Sequence, residues 1–171
     1  GHATLTLDNC TDVTIVNDLE KGQGGHGISV YGEGSLYFKN TKVAISGYMA
    51  NDRSGIYMDR NVYDKIMGSI NVDGSTLTIS DCYHNGITAN PANINVTGGS
   101  VLTICDNNTP YTYAGGLGCY FGKLTVTGGS SVVSTGNTGW GYGIFVGGLE
   151  VDGDSNVDVS NNGSICNVGT T

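Results

Sequence analysis

INVTGGSVLTICDN, residues 94–107, is the stretch whose reading decides the fold. It holds two runs with apolar residues at alternate positions, Ile94 and Val96 and then Leu102 and Ile104, separated by Gly98 and Gly99. Alternation of period 2 sends neighbouring side chains to opposite faces, so each run reads as a short strand with one buried face. The glycines between them mark a tight corner.

Outward from this stretch the same pattern recurs. LTLDNC (5–10), LYFKNT (36–41), LTISDC (77–82), LTICDN (102–107), VVSTGN (132–137) and VDVSNN (157–162) align as one element. Their alignment predicts an inward column of Leu5, Leu36, Leu77, Leu102, Val132 and Val157, with a second of Leu7, Phe38, Ile79, Ile104, Ser134 and Val159. A second element precedes the later copies: ISVYGEGS (28–35), INVDGS (70–75), INVTGGS (94–100), LTVTGGS (124–130) and LEVDGDS (149–155). Its glycines at 32, 74, 98, 128 and 153 are expected to supply backbone angles that residues with a Cβ avoid. A third element pairs glycine with an apolar residue at Gly55-Ile56, Gly86-Ile87, Gly116-Leu117 and Gly143-Ile144.

Three short strands per repeat, each with one inward face, describe a coil that buries its apolar side only by stacking on the next. The expected fold is all-β, a right-handed parallel β-helix of about six coils forming one domain over residues 1–171. Spacings between first-element residues are 31, 41, 25, 30 and 25, so the base period is 25 residues and the excess is inserted loop. In this alignment Cys10 and Cys82 are equivalent positions two coils apart, about 10 Å, beyond the reach of a disulfide.

Composition supports the pattern and excludes several functions. The chain has 29 glycines and only 13% charged residues, a mixture suited to strands and tight turns rather than helices. Its net charge of −8 repels phosphate backbones, so no nucleic acid is expected as a partner. No apolar run is long enough to insert in a membrane. Five cysteines form no CxxC pair and their odd number leaves at least one thiol free, so no zinc site is expected.

The run LxVxGGSxLTIxxN resembles the right-handed parallel β-helix superfamily, which includes pectate-lyase-like enzymes, phage tailspikes and non-catalytic surface modules. Within it, the chain is similar to the glycine-rich coils of bacterial surface adhesins and to carbohydrate-binding β-helix modules of anaerobic bacteria. The resemblance implies secretion or display at the cell surface. Because neither end of the coil carries a capping helix, the chain is expected to be a fragment of a longer surface protein, with the rest of the parent stacked at one or both ends.

Chemistry is expected in the insertions, which fall at about 11–27, 42–54, 108–115 and 138–142, with one more at 59–69. Interrupting equivalent points of stacked coils, the first four project from one edge. The candidate ligand-binding residues are Tyr57, Tyr111, Tyr113, Trp140 and Tyr142, with Asp52, Arg53 and Asp59. Aromatic rings cover the apolar face of a pyranose and polar groups meet its hydroxyls, so an extended glycan is the expected ligand. The structural alternative is that the rings pack the loops onto the wall of the coil.

No catalytic residue and no metal ligand is assigned. His26 lies in GHG (25–27), similar to an element of polygalacturonases, but the aspartate and RIK-like motifs of those enzymes are missing around it. His84 reads as a turn residue. No cofactor is expected; if calcium binds, Asp152, Asp154 and Asp158 or the acids of 52–64 are the candidates. The expected function is a non-catalytic binding or adhesion module that recognises a glycan or another cell-surface ligand. The rival readings are the partial scaffold of a pectin-type lyase or hydrolase, and a protein-binding adhesin or structural stalk.

Overall fold

The computed structural model describes residues 3–17, 25–49, 52–59, 68–109, 115–139 and 141–168. Among them every regular element is a β-strand and every recorded strand pairing is parallel. The first turn of chain holds β1 (Thr4–Asp8), β2 (Val13–Val16) and β3 (Ile28–Ser29). The second holds β4 (Gly34–Lys39), β5 (Lys42–Ser46) and β6 (Ile56–Asp59), and the third β7 (Gly68–Asp73), β8 (Thr76–Ser80) and β9 (Ile87–Asn90). Then come β10 (Asn93–Thr97), β11 (Val101–Cys105), the short β12 (Asn108–Thr109), β13 (Leu117–Val126) and β14 (Ser131–Thr135). The chain closes with β15 (Thr138–Gly139), β16 (Tyr142–Val151), β17 (Asn156–Ser160) and β18 (Ser164–Val168).

Three ladders run through the stack. The first is β1-β4-β7-β10, continued by the second halves of β13 and β16. The second is the six-stranded sheet β2-β5-β8-β11-β14-β17, one strand per turn, which gives six turns. The third is β3-β6-β9, continued by the first halves of β13 and β16 and by β18. Because β13 and β16 pass through the corner between third and first ladders without a break, those two ladders merge into one ten-stranded sheet. The result is an all-β, solenoid-like arrangement of parallel sheets.

The inward columns of the later turns match the sequence expectation: Leu77, Leu102, Val132 and Val157 align, as do Ile79, Ile104, Ser134 and Val159. Leu77, Ile79, Leu102 and Ile104 are fully buried. Ser134 sits in the core because its hydroxyl donates to the Gly143 carbonyl at 2.7 Å.

In the first two turns the expected register is wrong. Leu5 pairs with Leu36 as expected, but Leu36 pairs with Ile70, so LTLDNC and LYFKNT belong to the first ladder with INVDGS. The true partners of Leu77 are Val43 and, below it, Val13. Likewise Ile28 pairs with Ile56, which puts the start of ISVYGEGS in the third ladder. Along the second ladder the spacings from Val13 are 30, 34, 25, 30 and 25 residues, more even than the expected series.

The two corners flanking the second ladder explain both the fold and the error. Each begins with a residue in the left-handed region: Asn9, Asn40, Gly74, Gly98 and Gly128 at one, Asp81, Asp106, Gly136 and Asn161 at the other. Asn, Asp and Gly are the residues that tolerate it. Gly153, expected to share this role, is not among the positive-φ residues.

At the first corner hydroxyls cap the backbone of the turn before. The N–H groups of Thr41, Ser75, Ser100 and Ser130 donate to the hydroxyls of Ser75, Ser100, Ser130 and Ser155 at 3.0–3.1 Å. At the second, amides do so: the N–H groups of Cys82, Asn107 and Asn137 donate to the Oδ1 atoms of Asn107, Asn137 and Asn162. Cys10 stands in the serine row and Cys82 in the asparagine row, so the two thiols are on different corners rather than in one column.

Candidate functional site

The corner between the second and third ladders carries the insertions. The loops after β2, β5, β8, β11 and β14 all lead into third-ladder strands, so they leave the stack on one side. The first two start later than expected, because β2 and β5 occupy part of 11–27 and 42–54. Tyr111, Tyr113 and Trp140 lie outside the described residues, as do 60–67 of the further insertion. Asp59 ends β6, and its side chain lies outside the description.

Tyr57 does not belong to a loop. It is the outward residue of β6 between Ile56 and Met58, both buried in the core. Its ring stacks on the imidazole of His26, with centroids 4.1 Å apart and planes 13° from parallel. Tyr31, 66% exposed, tilts against it at 6.3 Å.

His26 is held from behind by the next turn. The Ser54 N–H donates to His26 Nδ1 at 3.0 Å. Ser54 is itself fully buried, its hydroxyl 2.9 Å from that of Thr88, which also accepts from Asn85 Nδ2 at 2.8 Å. With Nδ1 occupied as an acceptor, neutral His26 carries its proton on Nε2. Burial, reinforced by the charges of Arg53 and His84 and opposed by Asp52, pushes His26 down to about 4. Burial lowers His84 as well, again against Asp52. Near neutral pH the imidazole of His26 is therefore an uncharged donor.

Arg53 and His84 belong to the row one residue before Ser54 and Asn85, in which the first member is Gly25. The His84 N–H donates to the Arg53 carbonyl at 3.0 Å. Arg53 is half-buried, and its Nε is enclosed without a hydrogen-bond partner. Asp52 beside it is exposed and takes a left-handed φ of 60°. The structure thus brings Tyr57, Arg53 and Asp52 into one neighbourhood, together with His26 and Tyr31, which the sequence reading had not placed there.

Tyr142 belongs to a second ring group. It lies 5.3 Å from Phe145, which in turn lies 4.4 Å from Tyr120. Phe145 faces outward between the buried Ile144 and Val146. Register ties the two groups together: Tyr57 pairs with Thr88, Thr88 with Gly118, and Gly118 with Phe145. Tyr57 and Phe145 therefore share one outward column, three ladder steps or about 14 Å apart. Phe145 was legible as the outward member of the alternation in GIFV, and Tyr31 was not, since it follows a two-residue strand.

Among the described residues no group of three or more His, Cys, Asp or Glu side chains is placed to hold a metal ion. Asp152, a calcium candidate, caps its corner: its carboxylate accepts from the Gly128 N–H at 2.7 Å. Hydrogen bonds from Ser155 and Gly128 hold that carboxyl below its ordinary range. Comparison of the chain with protein-family models, with curated proteins and with solved structures gave no match in any of the three.

Proposed function

We propose that the chain forms a right-handed parallel β-helix that acts as a non-catalytic binding or adhesion module, secreted or displayed at a cell surface, and that its ligand is an extended glycan. The observation that carries this reading is the outward column of the third ladder. Ring groups around Tyr57 and Phe145 stand at the same register three steps apart. A ladder step of about 4.8 Å is close to the length of one sugar unit along an extended chain, so a glycan lying along the stack meets a ring at each end of a short span.

A binding role is favoured over catalysis by the state of His26. Its Nδ1 is taken by the Ser54 N–H, and its surroundings keep it uncharged, so it is poorly suited to supply a proton.

The test is a glycan array read with the parent chain and with Tyr57→Ala and Phe145→Ala. The reading expects weak binding per site, since an open surface buries little of its ligand. Either substitution should abolish it with little change in melting temperature. Loss of stability in proportion to loss of binding would instead make the rings packing elements.

A further inference from the structure

We propose that His26 is an acid-released latch: its neutral ring pins the entry to β3 onto the second turn and covers one face of Tyr57, and protonation at Nδ1 releases it. This goes beyond the glycan reading and stands on the corner geometry whether or not the ring column binds a sugar. Side chains cap backbone N–H groups at the corners. The recorded caps among the described residues are serine hydroxyls, asparagine amides, the Asp152 carboxylate and the His26 imidazole. Hydroxyls and amides keep their acceptors as pH falls, and an imidazole does not. The Asp152 carboxyl is held below its ordinary range, whereas His26 titrates at about 4, so His26 is the cap that acid removes first.

Release follows from the count of donors. Nδ1 accepts the Ser54 N–H at 3.0 Å, and a protonated imidazole is a donor at both nitrogens, so two N–H groups would face one another. Ser54 cannot turn away, because it is fully buried with its hydroxyl 2.9 Å from that of Thr88. The ring is the part with room to move. On one side of it Gly25 is exposed, and a Cβ built there meets no atom within 4 Å. On the other side Gly27 is wedged, with the Gly55 carbonyl oxygen 2.5 Å from where a Cβ would stand. A swing about this fixed point takes the imidazole off Tyr57, on which it lies with centroids 4.1 Å apart. Burial disfavours the imidazolium, Arg53 and His84 repel it, and Asp52 and the π face of Tyr57 attract it. The balance is the depression to about 4, so the closed latch rejects the proton. The phenols of Tyr31, Tyr48 and Tyr57 nearby are uncharged in acid.

An NMR titration of the whole chain from neutral pH to about pH 3 tests the latch. Closed, the His26 ring protons lie upfield under the ring current of Tyr57, and the Ser54 amide lies downfield in its hydrogen bond. Both should move to free values together, with one midpoint near 4. The amides of Ile28 and Val30, which donate to Gly55 and Tyr57, should lose exchange protection over the same range, while those of Leu102 and Ile104 within β11 keep theirs. His26→Gln, whose side-chain oxygen accepts from Ser54 without titrating, should abolish the step. Tyr57→Leu should remove the upfield shift yet keep the step at Ser54. His84→Gln should raise the midpoint and Asp52→Asn should lower it. Three results would each overturn the proposal: His26 ring protons that stay upfield through their own titration, a Ser54 amide that does not follow them, or loss of protection across the whole chain at the same midpoint.

Discussion

Replacing Asn137 with alanine should be far more damaging than the same change at Asn162, although both stand in the same row. Asn137 is fully buried. Its Oδ1 accepts from the N–H of Asn107 at 3.2 Å and from Asn107 Nδ2 at 2.8 Å. Its Nδ2 lies within 2.8–3.1 Å of Asn162 Oδ1, Ser134 Oγ and the Ile104 carbonyl. Truncation leaves two donors of Asn107, itself fully buried, with no acceptor. At about 1–3 kcal/mol for each buried donor left unsatisfied, the cost is about 4 kcal/mol. Asn162 likewise accepts from the N–H and Nδ2 of Asn137, but it is only half-buried and its removal lets water reach both donors, so alanine there should cost about 1 kcal/mol. Urea unfolding followed by far-ultraviolet circular dichroism measures both, and at about 2–4 °C per kcal/mol the inner variant should melt roughly 8–16 °C below the parent. A difference between the two variants under about 1 kcal/mol would refute the argument that the amide row carries the corner.

Leu77→Asp places an uncompensated charge at a fully buried position of the second ladder and should cost several kcal/mol, seen as loss of the cooperative thermal transition. Gly122→Ala should destabilise through crowding, because a Cβ there runs into the Ala92 carbonyl and Cys119 Sγ at the corner inside β13; a melting temperature equal to the parent's would contradict it. The His26 pKa is depressed in the folded state to about 4 from its ordinary value of 6.5, so its contribution to stability is present above 6.5 and is lost as pH falls through 4. With the ring partly in solvent this is about 1 kcal/mol, and denaturation curves at stepped pH should show that segment flattened in His26→Gln. Burial pushes the Cys82 and Cys119 thiols up to about 12, so alkylation near pH 8 should label the exposed Cys166 within the time that leaves those two untouched, as read by mass spectrometry of the peptides.

The stacked strands, their polarity and four of the six turns could be read from the sequence because alternation and corner chemistry agree there. In INVDGSTLTISDC the glycine corner between the two strands separates the first ladder from the second, and the structure keeps that reading. In the first two turns the corners do not separate them. LTLDNC and LTISDC share the same apolar alternation, and both run into a left-handed Asn or Asp, at Asn9 and Asp81. What separates the corners is the capping residue one step later, a hydroxyl or an amide, and Cys10 and Thr41 stand where later turns have serine. Cysteine fits either row, so the sequence alone left the ladder open. The site was less legible for a different reason. His26 meets Tyr57 through a stack that joins residues about thirty apart, and GHG carries no sign of it. Tyr57 was identified by its ring, whereas His26 needed the register of β3 on β6.

The parallel ladders also fix how the molecule bears load. Their hydrogen bonds point from each turn to the next, along the axis of the stack, so a pull between the first and last turns loads the interfaces in series. Rupture then occurs at the weakest interface, and extra turns lengthen such a tether without strengthening it. Each turn that peels away, 25–34 residues along the second ladder, releases roughly 80–120 Å of extended chain. The stack therefore yields in discrete steps, and the caps of the serine and asparagine rows set the force at which each step begins.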